Sequence, residues 1–305
     1  MQWWHAVILG LVEGITEYLP VSSTGHLIIA GDLMGLKRLA GVSKEALDGY
    51  DIVIQGGAIL AVLGLYWPRF VQMLMGLLGR DRAGLRLLVN VGIAFVPAAA
   101  VGLLVGTWVK AHLFRVGPVV AALVVGGVFM ILVDVLLIRP ARRRGVHEVD
   151  GGAAGADTMP GRGLEEMTPR NALLVGCMQI LALWPGTSRS MMTISGGVIA
   201  GLRPAAAAEF SFLLGMPTLL AASLYELYKN LRASKAAGTP NLFEEIGVVP
   251  TVVGMVVAAV SAAVAVKWLV GFLNRHGLVP FGVYRIVAGG VLWVLVWKGL
   301  VSVGQ

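Results

Sequence analysis

Charge is scarce in this chain. Asp, Glu, Lys and Arg make up 13% of its 305 residues, about half the share of an ordinary soluble domain, which is roughly 25%. That shortage excludes an ordinary cytosolic globule, a nucleic-acid binder and a disordered chain. Cysteine is scarcer still. The single Cys177 lies in an apolar run, so neither a disulfide framework nor a thiolate metal site is available. A basic leader is lacking too, and Glu13 and Glu17 fall where the apolar core of a signal peptide would lie, so a cleaved signal is not expected. What is present is apolar side chain: 57% of residues are hydrophobic and the mean hydropathy is +0.81. The net charge of +7 sits in gaps between apolar runs, where it reads as membrane topology and not as a nucleic-acid patch.

A membrane-spanning helix needs about 20 apolar residues. Six stretches qualify cleanly, near 50–67, 88–106, 117–138, 210–228, 247–270 and 281–301. Two more, 1–34 and 171–202, are long enough but interrupted by proline, hydroxyls and charge. Their interruptions resemble each other: Tyr18-Leu-Pro-Val-Ser-Ser-Thr-Gly25 and Leu183-Trp-Pro-Gly-Thr-Ser-Arg-Ser190. In each half a helix with an acid near its start follows, at Asp51 and at Glu209. The pattern predicts an all-α polytopic membrane protein built as a repeat: about six transmembrane helices plus two re-entrant helical hairpins. Residues 1–145 form the first repeat and 169–305 the second, each a hairpin plus three spans. A cytoplasmic linker, 146–168, joins them, with a flexible Gly-rich stretch at 151–163. Three spans per half is odd, so the second half enters from the opposite side. That is an inverted-topology repeat, whose broken helices meet near the midplane. The dense run Arg139-Pro-Ala-Arg-Arg-Arg144 marks the linker side as cytoplasmic and both termini as outside.

Ionisable groups inside apolar segments cost roughly 2.5–3.5 kcal/mol each on insertion scales and need a partner or a purpose. Asp134 and Glu226 are expected to reach the interface, Glu209 to pair with an arginine or cap its helix, and Arg285 to sit in a structural ion pair. Glu13 and Glu17, four apart, share one helix face and repel. A divalent cation, an arginine or a shared proton must offset that. Oxygen ligands suit a magnesium- or calcium-like ion, and His26 alone gives poor support for zinc. The stretch Ser22-Ser23-Thr24-Gly25-His26 sets hydroxyls beside an imidazole, so that His26 could serve as a base for a hydroxyl nucleophile or attack itself. Pro185-Gly186-Thr187-Ser188-Arg189-Ser190-Met-Met-Thr193 reads as an anion cradle: a glycine for close approach, helix-start amides, hydroxyl donors and a planar guanidinium. Acid and imidazole on one hairpin, a cationic clamp on the other, constitute phosphoryl-transfer equipment. In a membrane protein a lipid phosphate or diphosphate is the natural substrate.

The stretches Glu13-Gly-Ile-Thr-Glu17-Tyr-Leu-Pro-Val-Ser-Ser-Thr-Gly-His26 and Pro185-Gly-Thr-Ser-Arg-Ser-Met-Met-Thr193-Ile-Ser-Gly-Gly197 resemble the bacterial undecaprenyl-diphosphate phosphatases, the bacitracin-resistance proteins. So do Ile54-Gln55, Glu209-Phe-Ser-Phe-Leu-Leu and Pro280-Phe-Gly-Val-Tyr-Arg285. The resemblance implies hydrolysis of a C55 polyprenyl diphosphate to the monophosphate and inorganic phosphate. It also implies dependence on a divalent cation (Mg or Ca), and a multi-pass location in the bacterial inner membrane with the site open to the outer face. It makes Glu13 and Glu17 the acidic pair, as metal ligands or proton carriers, His26 the histidine and Arg189 the arginine. Ser23 or His26 attacks, or His26 activates water. Arg189, Ser188, Ser190, Thr193 and backbone amides hold the diphosphate, with Ser22, Thr24 and Gly186 as further substrate contacts. Met191 and Met192 stand where the family would have smaller residues. The oligomeric state is open, a homodimer included. Inverted repeats also suit a polyprenyl-phosphate transporter or flippase, or both activities in one chain. The acid-phosphatase superfamily is disfavoured because Ser195 stands where its histidine would follow the arginine.

Overall fold

The computed structural model describes residues 1–36, 42–148 and 161–301. Most of the Gly-rich linker, 149–160, lies outside the described residues. Among them no strand forms; one parallel bridge joins Arg162 to Leu202. The helices are α1 (Trp3–Thr16), α2 (Ser23–Leu33), α3 (Lys44–Leu65), α4 (Trp67–Leu77), α5 (Arg82–Leu113), α6 (Val116–Val133), α7 (Arg139–Glu148), α8 (Pro169–Leu181), α9 (Arg189–Ile199), α10 (Pro204–Ala237), α11 (Leu242–Ile246), α12 (Val248–His276) and α13 (Val279–Trp297).

Six of these are long and apolar enough to cross a membrane: α3, α5, α6 with its continuation through a π turn (Asp134–Ile138) into α7, α10, α12 and α13. Each clean apolar stretch of the sequence falls on one of them. In contrast, α1 has 14 residues and α8 has 13, about 20 Å at 1.5 Å per residue. Neither can cross a hydrocarbon core of roughly 30 Å alone. Instead α1 packs on α2 and α8 on α9. Each of these pairs leans on a long helix of the other half of the chain, α1 on α12 and α8 on α5. Small residues permit that approach. A Cβ on Gly10 would lie 2.5 Å from the Gly254 carbonyl, and one on Gly176 would lie 2.6 Å from that of Ala94. Close backbone contact of this kind replaces the hydrophobic drive that lipid removes.

A single offset relates several positions around the two breaks. It carries Ser23 to Arg189 and Leu33 to Ile199, the ends of α2 and α9. The same offset carries Ser22 to Ser188, the two non-glycine residues with positive φ among the described residues, at 77° and 74°. It also carries Gly35 to Gly201, Gly10 to Gly176 and Glu13 to Gln179. Positive φ in a residue with a Cβ stores roughly 1–3 kcal/mol and persists only where the surroundings hold it. The surroundings here are the largest buried cluster, in which Tyr18, Leu19 and Val21 of the first break meet Met191, Ile194, Phe210 and Phe212.

Polar contacts collect at the two ends of the helices. At one end the Met1 amino group donates to Ile246 O (3.4 Å), Ser43 N to Glu245 Oε2 (2.6 Å) and Asn230 Nδ2 to Glu45 O (3.0 Å). At the other, Arg142 Nη1 donates to Arg275 O (3.1 Å), Asn90 Nδ2 to Met167 O (3.0 Å) and Arg69 Nε to Glu209 Oε1 (2.8 Å). Residues 161–168, placed in the linker by sequence, are docked at this second end. Arg162 N donates to Gly201 O, and Leu164 and Met167 are buried.

Candidate active site

The first break follows Thr16, where α1 ends and the chain turns through Glu17–Ser22. Glu17, buried, caps the end of α1 where this turn begins. The Ser23 hydroxyl, opening α2, donates to Glu17 Oε2 at 2.7 Å. Across the interface Arg189, opening α9, brings Nη2 to 3.5 Å from Glu17 Oε1. Its Nη1 donates to Ser211 O of α10 at 3.0 Å, and its Cζ lies 5.6 Å from the centre of the Tyr18 ring. A hydroxyl, a carboxylate and a guanidinium from two separate hairpins thus converge.

One helical turn earlier, Glu13 is 1% exposed, and neither carboxylate oxygen has a hydrogen-bond partner. Asp51 of α3 lies near enough to interact with it electrostatically. Among the described residues no three His, Cys, Asp or Glu side chains cluster closely enough to enclose a metal ion. The donors still fit a hard divalent cation. Magnesium typically takes one or two protein carboxylates and completes its shell with water and substrate phosphate oxygens, and Glu13 offers two unused, desolvated oxygens.

His26 turns away from Ser23. Its Nδ1 lies 2.7 Å from Ser22 O and its Nε2 lies 2.6 Å from the Tyr284 hydroxyl of α13. The imidazole is therefore not the partner of the candidate nucleophile; Glu17 is. Tyr284, Ser211 and Tyr18 were not singled out from sequence. Tyr284 lay within a stretch already noted, Pro280–Arg285, but its meeting with His26 spans more than 250 residues of chain.

The second break knits the hairpins together. Ser188 Oγ caps α9 by accepting from Met191 N (3.3 Å) and lies 3.0 Å from Ser190 Oγ. Ser190 Oγ donates to Leu19 O in the first break (2.8 Å). Thr193 is fully buried, with Oγ1 2.9 Å from Arg189 O and 2.6 Å from Ser211 Oγ. Its hydroxyl supports the arginine from behind. Gly186, with φ 90°, presses on α6: a Cβ there would lie 2.7 Å from Val119 O. That packing, with its carbonyl engaged by Arg285, accounts for the glycine. The amides of Arg189 and Ser190 stand in the first turn of α9, where a helix supplies no acceptor, and Thr24 is exposed at the start of α2. Met191 is fully buried, with Gly126 of α6 providing the room.

Arg285 departs from its expectation, and Asp134 and Glu209 find specific partners. Arg285 forms no ion pair with a described carboxylate. It is fully buried and donates from Nη2 to Gly186 O (2.8 Å) and Ala122 O (2.9 Å), and from Nη1 to Pro20 O (3.4 Å). One carbonyl from each break and one from α6 accept from the guanidinium, so it braces both breaks. Asp134, at a span end, is engaged by protein groups. It is 2% exposed and accepts from Leu278 N (2.6 Å) and Val279 N (3.3 Å), capping α13, and from Arg139 Nε (3.2 Å). Glu209 takes the arginine option: Arg69 binds it at 2.8 Å and Glu165 at 2.9 Å.

The family described as bacitracin resistance protein BacA matches residues 6–291. A protein of Sorangium cellulosum named undecaprenyl-diphosphatase is 46% identical over 295 residues, covering 96% of this chain and 87% of its own length. One of Deinococcus deserti with the same name is 40% identical over 306 residues, covering 100% and 99%. Undecaprenyl-diphosphatase 2 of Rhodospirillum rubrum is 44% identical over 297 residues, covering 97% and 96%. With that match running through both breaks and all six long helices, the chain belongs to the bacitracin resistance protein BacA family.

Proposed function

We propose that this chain is an integral-membrane phosphatase that hydrolyses undecaprenyl diphosphate to undecaprenyl phosphate and inorganic phosphate. The observation that carries it is the Ser23–Glu17–Arg189 constellation across two hairpins, in a protein whose relatives carry the name undecaprenyl-diphosphatase.

Ser23 attacks the terminal phosphorus as its proton passes to Glu17 Oε2, and the bond to the bridging oxygen breaks to release the lipid monophosphate. Arg189 and the first-turn amides of α9 hold the phosphoryl oxygens where negative charge gathers. Water then attacks the phosphoserine. Glu17, having passed the first proton to the departing lipid monophosphate, accepts one from that water and returns it to the Ser23 oxygen as its bond to phosphorus breaks, with inorganic phosphate as product. Glu13 and Glu17 would hold a magnesium or calcium ion together with substrate oxygens. Such an ion supplies charge neutralisation for the diphosphate. Ser23 is preferred to His26 as nucleophile because its hydroxyl already faces a base, whereas both imidazole nitrogens are engaged elsewhere.

The offsets relating α1–α2 to α8–α9 support an inverted-topology repeat with re-entrant hairpins. If each of the six long helices crosses once, residues 3 and 169 enter from opposite sides. The polar contacts described above then divide between the two faces. The end bearing Arg69, Arg80, Arg86 and Arg139–Arg143 is assigned to the cytoplasm. The site then opens from the α1–α2 side, on the outer face of the bacterial inner membrane.

The test is phosphate release from C55 diphosphate by purified protein in detergent, with magnesium or calcium and with chelator. Glu17→Ala and Arg189→Ala should each lower turnover by roughly a hundredfold or more. Radiolabelled terminal phosphate should become trapped on Ser23 and be lost in Ser23→Ala. Wild-type turnover in Glu17→Ala would remove the proposed base.

A further inference from the structure

His26 and Tyr284 make a contact that the reaction above leaves unused, and the surrounding structure specifies it tightly. α13 is fixed at its start by the Asp134 cap and against α6 by close approach, since a Cβ on Gly282 would lie 2.7 Å from Gly127 O. Arg285, fully buried, ties the helix to both breaks. The neighbouring Tyr284 is 46% exposed, yet its hydroxyl lies 2.6 Å from His26 Nε2, with the two rings 8° from parallel.

The hydrogen-bond roles follow from the partners. Ser22 O can only accept, so His26 Nδ1 carries the proton at 2.7 Å. In the neutral imidazole Nε2 then offers a lone pair, and the Tyr284 hydroxyl donates to it. The carbonyl that fixes the tautomer belongs to Ser22, held at φ 77°. We propose that Tyr284 is a positioning residue for His26, holding it as the Nδ1–H tautomer with its ring plane fixed at the start of α2, one turn from Ser23. This rests on the phosphatase reading. His26 neither attacks nor deprotonates Ser23. It contributes as an oriented neutral ring, and its share of turnover depends on the Tyr284 hydroxyl.

The experiment compares kcat and KM for wild type, Tyr284→Phe, His26→Gln and the double variant on C55 diphosphate. Tyr284→Phe keeps the ring and removes only the donor. It should lower kcat about tenfold, the lower range for partners that orient a functional imidazole, with KM little changed. The double variant should be no slower than His26→Gln alone. A wild-type kcat in Tyr284→Phe, a wild-type kcat in His26→Gln, or losses that multiply in the double variant would each overturn the proposal. A second readout needs no turnover. With 15N-histidine labelling and assignment by His26→Gln, wild type should show a single Nδ1–H tautomer and Tyr284→Phe a mixture. A mixture already present in wild type, or no change in the variant, would overturn it. A wild-type protein that releases no phosphate would instead count against the phosphatase reading, and the tautomer result would stand separately.

Discussion

Gly215 offers a way to move the candidate clamp without removing any charge. It is buried in α10, and a Cβ built on it would lie 2.6 Å from Arg189 Nη1 and 2.8 Å from both Cζ and Nη2. Ordinary contact begins near 3.4 Å, so Gly215→Ala would drive the guanidinium back by about 0.6–0.8 Å. The group is held by Ser211 O at 3.0 Å and faces Glu17 at 3.5 Å, and it cannot retreat while keeping both. Misplacing a positioning group by 1 Å can cost on the order of a hundredfold in rate, so Gly215→Ala should lose about 10- to 100-fold in kcat/KM. Stability should hold, because alanine is favoured over glycine inside a helix by about 0.8–1 kcal/mol. Phosphate release in detergent and thermal unfolding should be measured together. Gly92→Ala, on α5 where a Cβ meets nothing within 4 Å, should be indistinguishable from wild type. Unchanged kcat/KM in a folded Gly215→Ala protein would refute the claim that the position of Arg189 matters to turnover.

Arg189→Lys should still lose roughly a hundredfold in kcat, because a single ammonium cannot replace a fork that meets Ser211 O, Glu17 and phosphate together. Recovery to within a few-fold of wild type would show that charge alone suffices. Arg69→Ala should leave phosphate release intact and lower the melting temperature by about 2–4 °C, the scale of about 1 kcal/mol for a partly exposed pair network. Hydrogen bonding to its own backbone, then Arg69, holds the Glu165 carboxyl below its ordinary value. Its contribution is therefore full at neutral pH and fades on acidification below about 4.5. A melting temperature equal to wild type at pH 7 would dismiss the network. Finally, a cysteine placed at Arg143 in a Cys177→Ser background should resist membrane-impermeant thiol reagents in intact cells, whereas one placed at Trp297 should react; the reverse pattern would invert the proposed orientation.

The helices that could cross a membrane were legible in the sequence because lipid imposes a composition on every residue of a span. The two breaks were legible because proline, hydroxyls and charge stand out singly in an otherwise apolar stretch. The likeness between the breaks was visible as well, and the shared offset extends it to helix ends and to Ser22 and Ser188. Partner choice was not legible. Sequence neighbours suggested that His26 serves the hydroxyls beside it, but the turn aims Ser23 at Glu17 and the helix aims His26 at Tyr284. The packing of Gly186 against α6 was likewise invisible in the sequence. Arg285 read as half of an ion pair and proved to brace carbonyls.

The amino-acid sequence by itself determined that this chain is a helical membrane protein and which few ionisable groups interrupt its apolar segments, since burial in lipid is a one-dimensional property of composition. Only the tertiary structure decided which of those groups meet. Hydrogen bonds and ion pairs depend on distances of a few ångströms between helices that are far apart along the chain, and helix packing sets those distances.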